Sequence, residues 1–593
     1  MNITQSISEQ EALQRFGWPD YSIFALMLLV STMIGIYFGF WGKKEDTPDE
    51  YLRGGKKMNL IPVAVSLVVS FLSGIAVMGT PTDIYMYGTL YWLMCVAFVL
   101  EGLATNYIYL PVFYELNVTS SYEYLQLRFN RPVRVMASTL FSLYQLLVNP
   151  IVIYVPALAF SRVTGINVHV ITPILSILCI IYTMLGGIKA VVWTDLLQGL
   201  LMFFACVAVI ILGVRQLGGP GAVWQTNWEG GRIQFFELDP SPFRRMSFWI
   251  VIIGGTFHMI GIITLNQAMV QRYVSLPTYS KAKISIVLSS IGTMMLVTVT
   301  CYLGLLVYAH YVDCDPIRAK LIEKPDQLVI RYVMEVTTSA PGLPGFFIAG
   351  IFSASLSTMS SSLNSLGATV YEDFVRPCLR KDVTDKTANK IIKTIVVAFG
   401  ALCVLIAFVV DKLGNVLQLA FSIGGITNGA MVGLFTFGMF FPRGNSKGAL
   451  VGSIVSMLAI GWIALGAQME TSEGRMKLPK LPTRVDGCPA EYLSLQNATK
   501  LHNVTSTLIS KAQNEDDVFI LYRISFLYYT LTGTIIMIIV GLLVSWMTEA
   551  PDLEKMNPAL FTPIVRKYVE KRRHRYAADE AGAQKLMRSA NGD

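Results

Sequence analysis

The sequence predicts an all-α polytopic membrane protein with about thirteen transmembrane helices. Three observations carry that expectation. Of the 593 residues, 53% are hydrophobic and only 15% charged, with a mean hydropathy of +0.53, which is not the profile of a soluble protein. Apolar runs of about 20 residues, enough to cross roughly 30 Å of hydrocarbon, recur along the chain. Lysine and arginine clusters fall in every second loop between those runs.

Residues 1–20 are polar, and the first span covers 21–41. Its lead is acidic and lacks a clear cleavage site, so no cleavable signal peptide is expected. The loop KKEDTPDEYLRGGKKM follows, with five basic residues. The second span, 60–87, holds Ser70, Ser73, Gly74, Gly79 and Pro81, weak helix formers that predict an unwound point. The third covers 91–113; the fourth, 135–160, is kinked at Asn149-Pro150 and Pro156; the fifth and sixth cover 170–185 and 191–214. A Gly- and aromatic-containing loop leads to the seventh, 248–270, and the eighth, 284–311. The ninth lies within 344–374, and the remaining four are 391–410, 416–441, 449–465 and 521–547. A polar loop, 468–520, precedes the last span, and residues 548–593 form a polar, basic tail.

Thirteen spans put the chain ends on opposite sides. The basic segments at 43–57, 128–134, 272–283, 376–393, 443–447 and 571–575 share one side, which the positive-inside rule makes cytoplasmic. The N-terminus is then outside. Asn497 and Asn503, each in an Asn-X-Thr sequon, fall in the outer loop and are candidate glycosylation sites, whereas Asn117 falls inside. Cys314 and Cys488 also fall in outer loops, where a disulfide is an open pairing. The eight cysteines show no metal-ligand spacing, and the net charge of +8 is spread over loops and tail, so nucleic acid is not implied.

The ninth span reads PGFFIAGIFSASLSTMSSSLNSLGATVYEDF. Ala354, Ser357, Thr358 and Ser361 recur at helical spacing and share a face. Neutral oxygens on that face suit a small hard cation such as sodium, if a broken helix opposite supplies carbonyls. The alternative is a serine-rich helix whose hydroxyls bond its own carbonyls. Four other intramembrane polar positions need a reason, since a central charge costs about 2.5–3.5 kcal/mol. Asp195 and Gln198 share a face at the start of the sixth span, either drawing a departing cation or satisfying the helix dipole. Glu101 lies mid-way in the third, a proton or cation site or else a protonated, hydrogen-bonded side chain. His258 in the seventh is either a satisfied core residue or a contact for a substrate carboxylate. Arg272 is read most simply as a cytoplasmic anchor.

Specific stretches carry a family resemblance: SFLSGIAVMGTPTDIYMYG, LPVFYELNVTSSYEYLQLRF, YTMLGGIKAVVWTDLLQ, FWIVIIGGT, NQAMVQRYV, LPGFFIAGIFSASLSTMSSSLNSL and VYEDFVRP. Over about residues 15–550 the chain resembles the animal branch of the sodium/solute symporter family, the monocarboxylate, multivitamin and iodide cotransporters. FELDPSPF and the last span look closest to the multivitamin and monocarboxylate members. The resemblance implies no enzyme but a sodium-coupled, alternating-access symporter. Its core would be a five-plus-five inverted repeat, residues 60–214 and 248–441, with the broken second helix crossing the ninth. It implies a sodium site from the carbonyls of Val69, Leu72 and Ala354 and the hydroxyls of Ser357 and Thr358, with Asp195 and Gln198 on the exit route. A second sodium near Ser70, Ser73, Ser360 and Ser361 is an open alternative. Where the iodide carrier has glutamines in the second and third spans and a tryptophan in the seventh, this chain has Ala76, Phe98 and Met259. A pocket of Phe71, Ala76, Phe98, Met259 and Ile263, with His258, suits a small organic anion with an apolar body, a monocarboxylate first. Biotin or pantothenate, an iodide-like anion, or a non-transporting solute sensor are the rival readings.

Overall fold

The computed structural model describes residues 16–41, 47–118, 120–322, 324–379, 383–410, 416–476, 479–488, 518–549, 551–553 and 556–573. Asn497 and Asn503 lie outside the described residues. Those residues form helices and no strand. That is what a bilayer demands, because a helix satisfies its own backbone where water is absent.

The long helices are α1 (Trp18–Trp41), the pair α2 (Leu60–Phe71) and α3 (Gly74–Tyr87), α4 (Thr89–Leu116), α5 (Arg131–Thr164) and α6 (Val168–Gln216). There follow the pair α7 (Ile250–Thr264) and α8 (Gln267–Tyr273), then α9 (Tyr279–His310) and α10 (Leu343–Val370). The last four are α11 (Asp385–Val410), α12 (Val416–Phe440), α13 (Ser446–Ser472) and α14 (Tyr529–Trp546). By length and composition ten cross a membrane, or twelve if each bent pair is one span.

The expected fifth and sixth spans form one 49-residue element, α6, and Gly187 inside it has φ 52° and ψ −153°, a conformation that glycine alone tolerates. The Tyr182 hydroxyl donates to the Leu356 carbonyl at 3.0 Å, and Ser357 donates to Asp195 at 2.6 Å. Thirteen residues of straight helix separate their ends by about 20 Å, beyond the reach of those side chains. Both contacts fall on one turn of α10, so α6 doubles back at Gly187. Tyr51 donates to the Thr183 and Met184 carbonyls, at 3.2 and 3.3 Å, just before that reversal.

α10 is the axis of the molecule: 89% of its apolar window is buried, against 22% of α1. α1 lies on the periphery and exposes Trp18 and Trp41 at its two ends, as an interfacial aromatic pair does. It is pinned to α10 where buried Asp20 accepts the Gly345 amide at 2.8 Å.

The loops segregate into two ends. At one, Arg232 donates to the Tyr85 and Pro482 carbonyls at 2.9 and 2.8 Å, and Leu481 and Gly487 donate backbone bonds to Met86 and Asp313. Cys314 and Cys488 are joined there by a disulfide. At the other end, Gln271 meets Leu52, Arg134 pairs with Asp373, and Arg128 donates to the Gly438, Phe441 and Gly444 carbonyls. Arg53, Arg131, Arg134 and Arg376 gather at this second end.

Candidate cation and solute site

The break between α2 and α3 turns the chain by 57°. Ser73 caps α3, accepting the Ile75 amide at 3.3 Å. In an unbroken helix the Ser73 amide would close on Val69, but it bonds Phe71 at 3.1 Å. The Gly74 amide, due at Ser70, crosses to Ser355 Oγ at 3.2 Å. The Ala76 amide, due at Leu72, bonds Ser73 at 2.9 Å. The carbonyls of Val69, Ser70 and Leu72 therefore lose their helical donors, and Val69 and Leu72 are two of the carbonyls expected at a sodium ion.

Two contacts fix how α10 crosses the break. Ser70 and Ser361 hydroxyls meet at 2.8 Å, and Gly74 meets Ser355. The break lies between these ties, opposite the turn that carries Ser357 and Thr358. Ser357 gives its proton to Asp195 Oδ1 at 2.6 Å, and Thr358 gives its own to the Ala354 carbonyl at 3.1 Å. A hydroxyl that donates elsewhere keeps its lone pairs for a cation. Thr358 thus makes the back-bond of an ordinary helical threonine without forfeiting a ligand role.

Asp195 is fully buried and accepts from Ser66 at 2.6 Å, Ser70 at 3.2 Å and Arg272 at 3.3 Å besides Ser357. Gln198 donates to Ser31 at 3.3 Å. Arg272 is not a cytoplasmic anchor. It is 2% exposed and donates to Ser66 and the Ala268 carbonyl, at 2.7 and 2.6 Å, and to Ser361. A guanidinium inside the bundle requires a counter-charge, and Asp195 supplies it. Of the four serines expected near a second sodium, Ser70 and Ser361 are brought together, but Arg272 donates to Ser361. Ser360 bonds the Ser357 carbonyl at 3.0 Å and Ser73 is a cap.

Arg272 reaches the centre because the seventh span is also broken, which the sequence reading missed. α7 and α8 meet at 66°. Asn266 caps α8 by accepting the Ala268 amide at 2.9 Å, and π-helical turns at Ile250–Gly254 and Ile260–Thr264 loosen α7. The signals were present in Gly254-Gly255, Gly261 and the Asn266 cap ahead of Gln267.

Phe71 and Phe98 meet edge-to-face at 5.6 Å beside the first break, and Ala76, Met259 and Ile263 belong to the same extended apolar core. His258 is buried, and its Nδ1 lies 3.1 Å from the Thr530 hydroxyl of α14. Asn428 Nδ2 is buried with no hydrogen-bond partner among the described residues. It lines a cavity of about 10 Å³, shared with Thr427, Asn266 and Tyr144 at the second break. A larger cavity, about 850 Å³, opens at the basic end and reaches Gln267 and Gln271 of α8.

Two broken spans crossing a buried polar helix define a helical, cation-coupled membrane transporter. A model described as the sodium:solute symporter family matches residues 51–456. The chain belongs to that family and is a sodium-coupled symporter. It is 38% identical over 532 residues to sodium-coupled monocarboxylate transporter 1 of Homo sapiens, covering 89% of this chain and 87% of that one. It is 37% identical over 552 residues to the sodium-dependent multivitamin transporter of Oryctolagus cuniculus, covering 93% and 86%. Among solved structures it is similar to a Na+-coupled sialic acid symporter in a substrate-bound outward-open state: TM-score 0.72, 26% identity, 90% of this chain and 99% of that one. Mhp1, a nucleobase-cation-symport-1 family transporter, shares the fold at TM-score 0.50 and 12% identity, over 85% and 95%.

Proposed function

We propose that this chain carries a small organic anion, a monocarboxylate first, across the plasma membrane together with sodium. The observation that carries the reading is the break at Val69–Leu72, whose freed carbonyls face the Ser357 and Thr358 hydroxyls. Sodium there ties α2 and α3 to α10 and favours the conformation that receives solute from outside, a population shift set by differential affinity. The basic end is cytoplasmic and the disulfide end extracellular, in keeping with the positive-inside rule and an oxidising exterior. The structure is then the inward-facing state. Its outer end is sealed by Arg232 and by the Arg245–Asp83 pair, and the cavity of about 850 Å³ faces the cytoplasm. With Arg272 neutralising Asp195, the carboxylate no longer holds a cation, which favours release.

The solute assignment rests on a neutral donor at the second break and apolar side chains at the first. The unpartnered Asn428 amide at the second break can donate to a carboxylate without a buried counter-charge once its cavity, which here is the size of one water, widens. Phe71, Phe98 and Met259 supply an apolar lining. The relatives named for monocarboxylates and for vitamins support a carboxylate over iodide. The test is radiolabelled uptake by expressing cells in sodium and in choline, with lactate, pyruvate, butyrate, nicotinate, biotin, pantothenate and iodide. Sodium-dependent accumulation of a short monocarboxylate is expected. Accumulation of biotin or pantothenate alone reassigns the solute. Sodium currents without accumulation of any solute favour a sensor.

A further inference from the structure

Glu101 takes no part in the site above, yet it is 2% exposed and sits in the middle of α4. Its Oε1 lies 2.7 Å from the Thr105 hydroxyl and 2.7 Å from the Thr264 hydroxyl, and those hydroxyls are 2.6 Å from each other. Three oxygens thus form a closed triangle with three hydrogen-bond-length edges. Each threonine hydroxyl carries one hydrogen. An ionised Glu101 gives two hydrogens for three edges and leaves one pair of oxygens in bare contact, a pair that repels. The shortage is worse if Thr105 turns to the Glu101 carbonyl at 3.0 Å. A proton on Oε1 supplies the third hydrogen, so that every oxygen donates once and accepts once.

The charged neighbours do not replace that proton. On α8, Arg272 is bound to Asp195, Ser66 and Ser361, and the Tyr273 hydroxyl donates to the Thr264 carbonyl at 3.0 Å. On α7, His258 contacts Thr530. On α9, Lys283 lies over the Tyr107 and Tyr279 rings, Lys281 is exposed at the cytoplasmic end, and Cys301 is buried toward the other end. On α4 itself Cys95 contacts Thr298, Tyr109 contacts Thr436, and Glu115 pairs with Arg566. Among the described residues, none of these cations bonds Glu101.

Thr264 is the last residue of α7, so the triangle joins α4 to the joint of the second broken span. We propose that Glu101 is a proton-binding site of the transporter, built with Thr105 and Thr264, that takes up and releases a second cation as the α7–α8 joint closes and opens. When the joint opens, Thr264 withdraws and water enters. The O–H bond then breaks, the electron pair stays on Oε1, and the proton passes to that water.

The test is infrared difference spectroscopy of the purified full-length protein in lipid, cycled between mildly acid and mildly alkaline buffer. It requires no solute, so a wrong solute assignment leaves its result intact. The expected result is a protonated-carboxyl carbonyl band, sensitive to deuteration, that is lost at alkaline pH and absent from Glu101→Gln. Thr264→Val, which keeps the carboxyl but breaks the triangle, shifts the frequency of that band, and this covers the case in which Glu101→Gln does not fold. A band unchanged across the pH range makes the proton a permanent structural one and overturns the proposal. No such band means an ionised Glu101 and overturns it too. A band removed by sodium at constant acid pH makes the triangle a metal site, with the same consequence.

Discussion

Ser357 and Thr358 differ in where their protons go, and that difference separates their roles. Ser357 donates to Asp195 and Thr358 to the Ala354 carbonyl, so each keeps an oxygen free to face the break. Removing one such oxygen from a bound cation costs about 1.5–3 kcal/mol, roughly a ten- to hundredfold rise in the sodium needed for half-maximal uptake. Thr358→Ser, which retains the oxygen, stays close to the parent in a sodium titration of uptake. Arg272 poses a different demand. Arg272→Ala strands the buried Asp195 carboxylate and costs about 3–5 kcal/mol, read as a lower melting temperature and poor surface expression. Neutralising both partners, Asp195→Asn with Arg272→Gln, recovers much of that stability but not sodium coupling. If the double variant is no more stable than Arg272→Ala, the pair is not what holds these helices together.

The break between α2 and α3 is a packing device as well as a source of carbonyls. A Cβ on Gly74 would collide with Ser355 Oγ and lie 3.2 Å from the Ile351 carbonyl. Gly74→Ala therefore overpacks the crossing by about 1–3 kcal/mol. Combining it with Ser355→Ala removes the closest clash, so the pair is less destabilised than the sum of the singles in a thermal-denaturation cycle. The first break was legible in the sequence because Ser70, Ser73, Gly74 and Pro81 all disfavour helix within one apolar run. The second was not, because polar Asn266, Gln267 and Gln271 were read as the end of a span. The Asn266 cap ahead of Gln267 marked a new helix start, but that the chain continues inward with Arg272 buried shows only in the tertiary fold. The α6 reversal was legible as two short spans around Leu185-Gly186-Gly187. Its positive-φ hinge depends on contacts with α1 and α10 that no local pattern records.

At the scale of the molecule, the alternation of loops between two ends follows from hydropathy and basic residues alone, since each apolar run must cross and each cluster must stay out. What covers the sealed end did not follow. The Arg232 guanidinium donates to the Tyr85 and Pro482 carbonyls and the Leu481 amide to the Met86 carbonyl, and backbone acceptors of this kind are offered by any sequence. The disulfide between Cys314 and Cys488 anchors that segment. Closing so long a loop is worth about 2–4 kcal/mol, so Cys488→Ser loosens that seal and increases labelling of a cysteine placed at Tyr85. Sodium acting at the crossing of α10 with the first break is tested most directly by a sodium titration of solute uptake in proteoliposomes, comparing the parent with Ser357→Ala and Thr358→Ala. The expected result is uptake that requires sodium, with both variants folded and shifted to higher sodium. Unshifted curves, or uptake that proceeds equally in choline, would contradict it.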